Sequence, residues 1–422
     1  MAAEGKSIVI IGGGIIGCTT AYYLTRHPAF DAATHSLTLI EASKHGVAQG
    51  ASGKAGGLVA MWAYPREVVN LSFREHEKLA QEHNGKDRWG WRYVNVGSWS
   101  GTGKLDTTIG SGVGAGGRYK SLEKTLGLQD PVAASKARAG SLPQDLDWVE
   151  PDLTQSYVPM AADKETAQVH PQLFTTSMCT LAAERGMRMI SGKATSILRA
   201  DGTVTGVVYT ENDTGASRQI PATHVILAAG AWSPRLLDDV YLPIAATRAH
   251  SVTIQPDTTI SPYVLFAEIR TPRGHWVSPE IHARPNNEVY ACGPGDDFPL
   301  PDTVDDVVVD YDACEYVWKH VVSISRVLRN GTIDRRQACY LPTVSSGGGP
   351  IVGEASSIAK GLLIATGHTC WGISNAPGTA RAMAVLIMGA DGGTSRDLRD
   401  CLQMVNKLAP QRFLLETRKM WG

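Results

Sequence analysis

The chain has 422 residues, 43% hydrophobic and 19% charged, enough to enclose two substantial cores. Its 40 Lys and Arg stand against 41 Asp and Glu, a formal charge of -1, which leaves no basic surplus for a nucleic-acid backbone or an anionic membrane. The 7 cysteines, Cys18, Cys179, Cys292, Cys314, Cys339, Cys370 and Cys401, show neither CxxC metal spacing nor a disulfide framework, which fits a reducing compartment.

A strand is expected at Ser7–Ile11, so near the start that a secretory leader has no room before it. No apolar run reaches the roughly 18 residues of a membrane span, and the last residues, Lys419-Met420-Trp421-Gly422, are not a peroxisomal signal. The expected location is cytoplasmic. After the strand come Gly12-Gly13-Gly14-Ile15-Ile16-Gly17, a helix over Cys18–Arg26, and a second strand, Leu37–Ile40, ending in Glu41. The spacing Gly12-x-Gly14-x-x-Gly17 between strand and helix is a dinucleotide fingerprint. Its first glycine permits the tight turn, its second lets backbone approach a pyrophosphate, and its third lets helix pack on strand. Free N–H groups at the helix start favour phosphate. Glu41 stands where a carboxylate accepts ribose hydroxyls and repels the 2′-phosphate of NADP. The unit alone does not separate FAD from NAD.

Gly50 to Gly57 form a loop of small residues, and the glycine- and serine-rich stretch 97–117 reads as a mobile loop. From Val169 the α/β pattern returns: helix Gln172–Arg185, strand Met187–Ile190, a hairpin turning at Asp201-Gly202, and the apolar strand His224–Ala228 running into Ala229-Gly230. Residues 241–335 hold short alternating strands and prolines, as in Val252-Thr253-Ile254 and Glu288-Val289-Tyr290. Near the end, Ile364-Ala365-Thr366-Gly367-His368-Thr369-Cys370-Trp371-Gly372-Ile373 reads as a strand, a glycine turn and the start of a helix that continues through Ala380 to Met388. The fold class is therefore α/β. A Rossmann-like dinucleotide-binding domain is expected from 1–95, 166–240 and 336–422, with a second, mainly antiparallel β substrate or cap domain from 96–165 and 241–335.

Taken in order, four of these segments resemble the FAD-dependent D-amino-acid oxidase superfamily, particularly its glycine oxidase and sarcosine oxidase branch. They are the Gly12 unit, the Gly50-Ala51-Ser52-Gly53-Lys54-Ala55-Gly56-Gly57 loop, Val225 to Ser233, and Ile364 to Gly378. The resemblance implies FAD as cofactor. It assigns the nucleotide half to Gly12, Gly14, Ile16, Gly17 and Glu41, and the loop passing the pyrophosphate and lying beneath the isoalloxazine to Ala51, Ser52, Gly53, Lys54, Ala55 and Gly56. Ala229, Gly230 and Trp232 would stand beside the phosphates, Ala194 is a further expected cofactor-binding residue, and Gly367, His368, Thr369, Cys370, Trp371, Gly372 and Ile373 would close over the flavin. A helix start there sets N–H donors where negative charge gathers on reduction.

The sequence also departs from the family. The arginine that holds a substrate carboxylate, just before a proline, is replaced by Leu341 before Pro342; Cys370 and Trp371 stand where a basic or polar side chain is usual; and the lysine linked to oxygen activation has no counterpart near Tyr290-Ala291-Cys292-Gly293. Arg248, Arg284 or Arg336 supply a substitute charge or form ion pairs, and Tyr340, Trp276 and Trp371 form an apolar wall or belong to the core. The residues expected to line a catalytic site are Lys54, Arg248, His250, His275, Tyr340, His368 and Trp371, with His368 either catalytic or structural and no metal. The implied activity is oxidation of a C–N bond in a small amine or amino acid by hydride transfer to flavin N5, with molecular oxygen or another electron acceptor. Two alternatives stay open: a flavin dehydrogenase of another substrate class, and an FAD-stabilised protein with a non-catalytic role such as trafficking.

Overall fold

The structure, a computed structural model, describes residues 5–105 and 141–414. The stretch Gly110 to Gly117 lies outside the described residues.

An eight-stranded sheet carries, in order, Ser217–Pro221, Thr203–Glu211, Arg188–Ala200, Ser36–Glu41, Ser7–Ile11, His224–Leu227, Leu362–Thr366 and Ile351–Glu354. The run from Arg188–Ala200 to Leu362–Thr366 is parallel. Central parallel strands bury both faces, and the apolar run Ile8-Val9-Ile10-Ile11 shows why. Ile8 and Ile10 enter a core shared with the helices Ile15–Thr25, Pro171–Ala183 and Gly372–Met388, while Val9 and Ile11 enter one built with the Arg188–Glu211 hairpin. That hairpin turns at Asp201 and Gly202, both with positive φ, as the strand twist requires. The helix after the glycine turn begins at Ile15, three residues earlier than expected, because Gly14 already has the extended backbone of an N-cap. The strand expected at Met187–Ile190 continues to Ala200, since its partner Thr203–Glu211 extends the pairing beyond the parallel core.

The second sheet has the order Thr332–Val344, Ile244–Gln255, Glu288–Asp296, Glu280–Arg284, Tyr263–Arg270, Asn95–Thr102, Thr154–Pro159. All neighbours are antiparallel except Tyr263–Arg270 with Asn95–Thr102. Residues 97–102, expected in a mobile loop, are thus an ordered inner strand: Gly97 is glycine because a Cβ there would meet the Tyr157 ring, not because the backbone is free. Period-two alternation divides the sheet. Val252, Ile254, Leu265, Ile281, Ala283, Val289 and Ala291 pack beneath the helix Tyr311–Val322. The opposite face looks back toward the first sheet.

The helix Gly372–Met388 contains Pro377, which leaves the Ile373 carbonyl without its usual amide. His76 Nε2 meets that carbonyl at 2.9 Å, and Ser72, one turn earlier on Arg66–Glu82, accepts the Gly378 amide at 2.9 Å. Burial drives the His76 pKa down to about 4, so the ring is neutral. Farther along, buried Arg381 pairs with Glu75 at 2.8 Å, Asp391 at 2.7 Å and Asp397 at 3.1 Å. These contacts fix where the helix starts, and its start faces the cavity. Among the described residues, no helix is long and apolar enough to cross a membrane.

Candidate active site

A cavity of about 530 Å³ lies between the first sheet and the inner face of the second. Its first wall is mostly backbone. Gly12 has φ +111, and a Cβ on it would stand 2.5 Å from the Ala228 carbonyl oxygen. Gly17 meets the Gly12 carbonyl closely enough to exclude any side chain, which joins helix to strand but keeps Gly17 off the cavity surface. Gly14 is different: a Cβ there would approach only Ser52 Oγ, at 3.2 Å, and Gly14 itself lines the cavity. It is the point where a ligand's anionic group can reach the N-terminus of Ile15–Thr25. Ser52 Oγ accepts the Ile15 amide at 2.9 Å, tying the small-residue loop to the same helix end.

Glu41 closes this end. Its carboxylate accepts the Gly13 amide at 2.6 Å and the Ser43 amide at 2.7 Å, and burial raises its pKa against the lowering effect of those donors. The segment after Asp296 crosses above it. Asp305 accepts the Ser43 hydroxyl at 2.6 Å and the Lys44 amide at 2.9 Å. Trp232 Nε1 donates to the Pro301 carbonyl at 2.9 Å, and the Tyr340 hydroxyl to that of Pro299 at 2.8 Å. The aromatic pair Trp232 and Tyr340 meets edge to face at 6.2 Å.

The cavity continues to the N-terminus of Gly372–Met388. Cys370, Trp371, Gly372 and Ile373 line it, and Trp371 Nε1 is buried with no hydrogen-bond partner. His368 also borders the cavity, but its Nε2 is held at 3.1 Å by Thr379 Oγ1 and burial takes its pKa down to about 3. That arrangement suits a neutral ring that fixes the turn to the helix. Lys54 lines the cavity with Nζ donating to the Ala338 carbonyl at 3.0 Å, and burial lowers its pKa.

Other residues of the sequence-derived set also border this space: Ile16, Ala51, Ala55, Gly56, Ala194, Ala229, Gly230, Trp232, Thr369 and Tyr340. Gly53 and Gly367 support the wall from behind, packed against the Ala48 carbonyl and Val344. Three residues of the expected catalytic set do not reach it. Arg248 and His250 share the helix-facing side of Ile244–Gln255 while Ala249 faces the cavity, so strand alternation turns both away. Arg248 pairs with Asp296 at 2.9 Å, and His250 Nε2 accepts the Asp310 amide at 3.1 Å. His275 and Trp276 are exposed beyond the far end of Tyr263–Arg270. The other substitute arginines are engaged as well: Arg284 bonds Glu288 at 2.7 Å and the Ala55 carbonyl, and Arg336 lies 3.6 Å from Glu315.

The second wall is made of side chains that sequence reasoning did not select: Phe266, Glu280, His282, Tyr290 and Cys292, with Cys339 and Leu341. The signal was present in Glu280-Ile281-His282-Ala283, where apolar residues alternate with polar ones, but the direction of the polar face comes only from the packing of Ile281 and Ala283. Aromatic contacts close the space, with Trp62 edge-on to both Phe266, at 6.0 Å, and Trp371, at 5.6 Å.

The family described as FAD dependent oxidoreductase matches residues 7–386. The Saccharomyces cerevisiae protein "Putative oxidoreductase TDA3" is 31% identical, over 92% of this chain and 93% of its own. The Schizosaccharomyces pombe protein "Putative oxidoreductase C1F5.03c" is 30% identical, over 94% and 98%. Among solved structures, glycine oxidase from Bacillus cereus superposes with a TM-score of 0.65 at 19% identity, covering 91% of this chain and 95% of its own. Iminodiacetate oxidase from Chelativorans sp. BNC1 superposes with a TM-score of 0.65 at 20% identity, covering 96% and 98%. These two likenesses are likenesses of fold.

Proposed function

We propose that this chain, which belongs to the FAD dependent oxidoreductase family, holds FAD along the backbone wall of the cavity and oxidises a C–N bond of a small amine or amino acid beneath the second sheet. One observation carries the reading: the cavity joins the N-termini of Ile15–Thr25 and Gly372–Met388 and continues under the side chains of the second sheet. The residues suit the cofactor. Gly14 and Ile15 would receive the pyrophosphate, Glu41 the ribose hydroxyls, and Ser52, Ala194, Ala229 and Gly230 the flanks of the dinucleotide. Gly372 and Ile373 would present amide donors to the pyrimidine edge, with the unpartnered Trp371 Nε1 beside them. Bound FAD supplies the hydride acceptor.

The chain's own part is orientation and exclusion of water. Phe266, Tyr290 and Trp371 dry the space over which the substrate C–H must be presented, and the second-sheet strands set its direction. Structural neighbours named for glycine and iminodiacetate, both amines that carry carboxylate groups, support the choice of a C–N bond. The test is anaerobic addition of D-amino acids, N-methyl amino acids and simple primary and secondary amines to the purified holoprotein. One of these classes is expected to bleach the visible flavin absorbance. An FAD-loaded protein that none of them reduces overturns the proposal.

A further inference from the structure

The second-sheet wall holds one carboxylate, Glu280, that meets His282 but no Lys or Arg among the described residues, and we infer that it is the receptor for a substrate ammonium group, so that the substrate is an amine without a clamped carboxylate. This deepens the amine-oxidising reading and rests on it.

Register fixes the geometry. Glu280 pairs across the sheet with Phe266 on one side and Cys292 on the other, so it stands mid-row between two uncharged side chains. His282 occupies the next row on the same face, opposite Tyr290, whose ring it meets edge to face at 5.5 Å. Glu280 Oε2 lies 3.3 Å from His282 Nε2, the one hydrogen-bond partner of that carboxylate among the described residues. The Glu280 side chain is 23% exposed and lines the cavity, leaving its second oxygen available to a ligand. The His282 side chain is 3% exposed, and its Nδ1 is buried with no partner.

What holds His282 there is a glycine. A Cβ on Gly56 would come within 2.5 Å of Nδ1 and 2.6 Å of the adjacent ring carbon, so the loop must be bare for the imidazole to seat. The small-residue loop and the carboxylate are thus connected: Gly56 seats His282, and His282 orients Glu280. His282 is a positioning residue, and Glu280 is the group that meets the substrate.

The cations of the cavity complete the case. Besides His282 and His368, the basic residues among its described lining are Lys54, Lys193 and Arg235. Arg235 is bonded to the carbonyls of Leu300, Pro301 and Asp302, and Lys193 to the Asp302 carboxylate, all at the Glu41 end. Lys54 is held by the Ala338 carbonyl, and burial lowers its pKa. Leu341 and Cys292 offer nothing to a carboxylate, which in so apolar a setting needs a paired and hydrogen-bonded cation. An ammonium group against Glu280 meets that condition with the signs reversed.

The test uses two probes that share a tert-butyl group and cannot be oxidised at the α-carbon, tert-butylamine, which is cationic at neutral pH, and pivalate, which is anionic. Each is titrated into the holoprotein and read by perturbation of the visible flavin spectrum. tert-Butylamine is expected to bind at least 10-fold more tightly than pivalate. Glu280→Gln should weaken the amine roughly 10- to 100-fold, the worth of a charge-assisted hydrogen bond, and remove the preference. His282→Leu should weaken it several-fold, with His282→Gln, which retains a donor near the Nε2 position, restoring most of the loss. Pivalate binding as well as the amine, neither probe binding, or a preference unchanged in a Glu280→Gln protein that retains FAD would each overturn the inference. The wild-type comparison decides even if that variant does not fold. Amine binding at Glu280 without oxidation of any amine sinks the proposed activity and leaves this site standing; amine oxidation with pivalate preferred does the reverse.

Discussion

The two walls of the cavity are built on opposite principles. The first-sheet wall offers backbone: bare glycines, helix N-termini and amides, with Glu41 at one end. The second-sheet wall offers side chains standing on alternate positions of antiparallel strands. A wall of backbone can recognise only what every member of a cofactor class shares, phosphate and ring edge, and its tightest glycines tolerate no change, because a Cβ on Gly12 or Gly57 meets main chain. A wall of side chains can be rewritten one residue at a time without disturbing the strands, since the opposite face holds the core. On the proposed reading cofactor binding and substrate choice are separable, and substitutions on the two walls should fail in different ways.

The sharpest break of that comparison is at Gly12. Gly12→Ala puts a Cβ 2.5 Å from the Ala228 carbonyl oxygen at a φ of +111, and the purified protein should be colourless, with FAD content by absorbance near zero. A yellow Gly12→Ala protein would show that the backbone wall is less exacting than its geometry. Next in size is Arg381→Ala, behind the same wall, which leaves Glu75 and Asp391 without their cation and Asp397 with Arg74 alone. A loss of about 3–5 kcal/mol in denaturant unfolding is expected.

The histidines that secure the closing helix give a pH signature. Burial lowers the folded pKa values of His76 and His368 to about 4 and about 3, below the 6.5 of a free imidazole side chain. In that window the unfolded chain binds more protons than the folded one, so stability should fall as pH drops below 6.5, by up to about 1.4 kcal/mol per pH unit per histidine. His76→Asn should flatten part of that slope. On the other wall, Phe266→Ala should keep full FAD content yet weaken the binding of a reducing amine about 10-fold, as measured by anaerobic titration. The smallest effect belongs to Tyr340→Phe, which removes one hydroxyl bond to Pro299 and should cost about 1 kcal/mol, read as a few-fold faster release of FAD.

The backbone wall was legible in the sequence, and the reason is physical. A positive φ at Gly12 and the close approach at Gly17 permit no residue but glycine, so the chemistry is written in residue type and local spacing. The side-chain wall was not. Arg248 and His250 looked suitable by type, yet they sit on the helix-facing side of their strand, and only the register with Glu288–Asp296 and the packing of Val252 and Ile254 reveals that. Glu280 and His282 were passed over because a lone Glu-x-His carries no motif, and their meaning depends on Gly56, more than 200 residues away in the chain. The strand Asn95–Thr102 was hidden for a related reason: its glycines serve close packing against Tyr157 and Trp99, which resembles a flexible loop when composition alone is read. The second sheet also extends through Val344, past the expected boundary at 335, because Thr332–Val344 pairs along the length of Ile244–Gln255.

The central claim is that the glycine wall binds FAD, and titrating the purified chain, stripped of any bound flavin, with FAD tests it most directly. The expected result is saturation at one FAD per chain, with a structured visible spectrum, and no saturation in Gly12→Ala. A wild-type chain that takes up no FAD, or a Gly12→Ala chain that binds it equally well, would contradict the account.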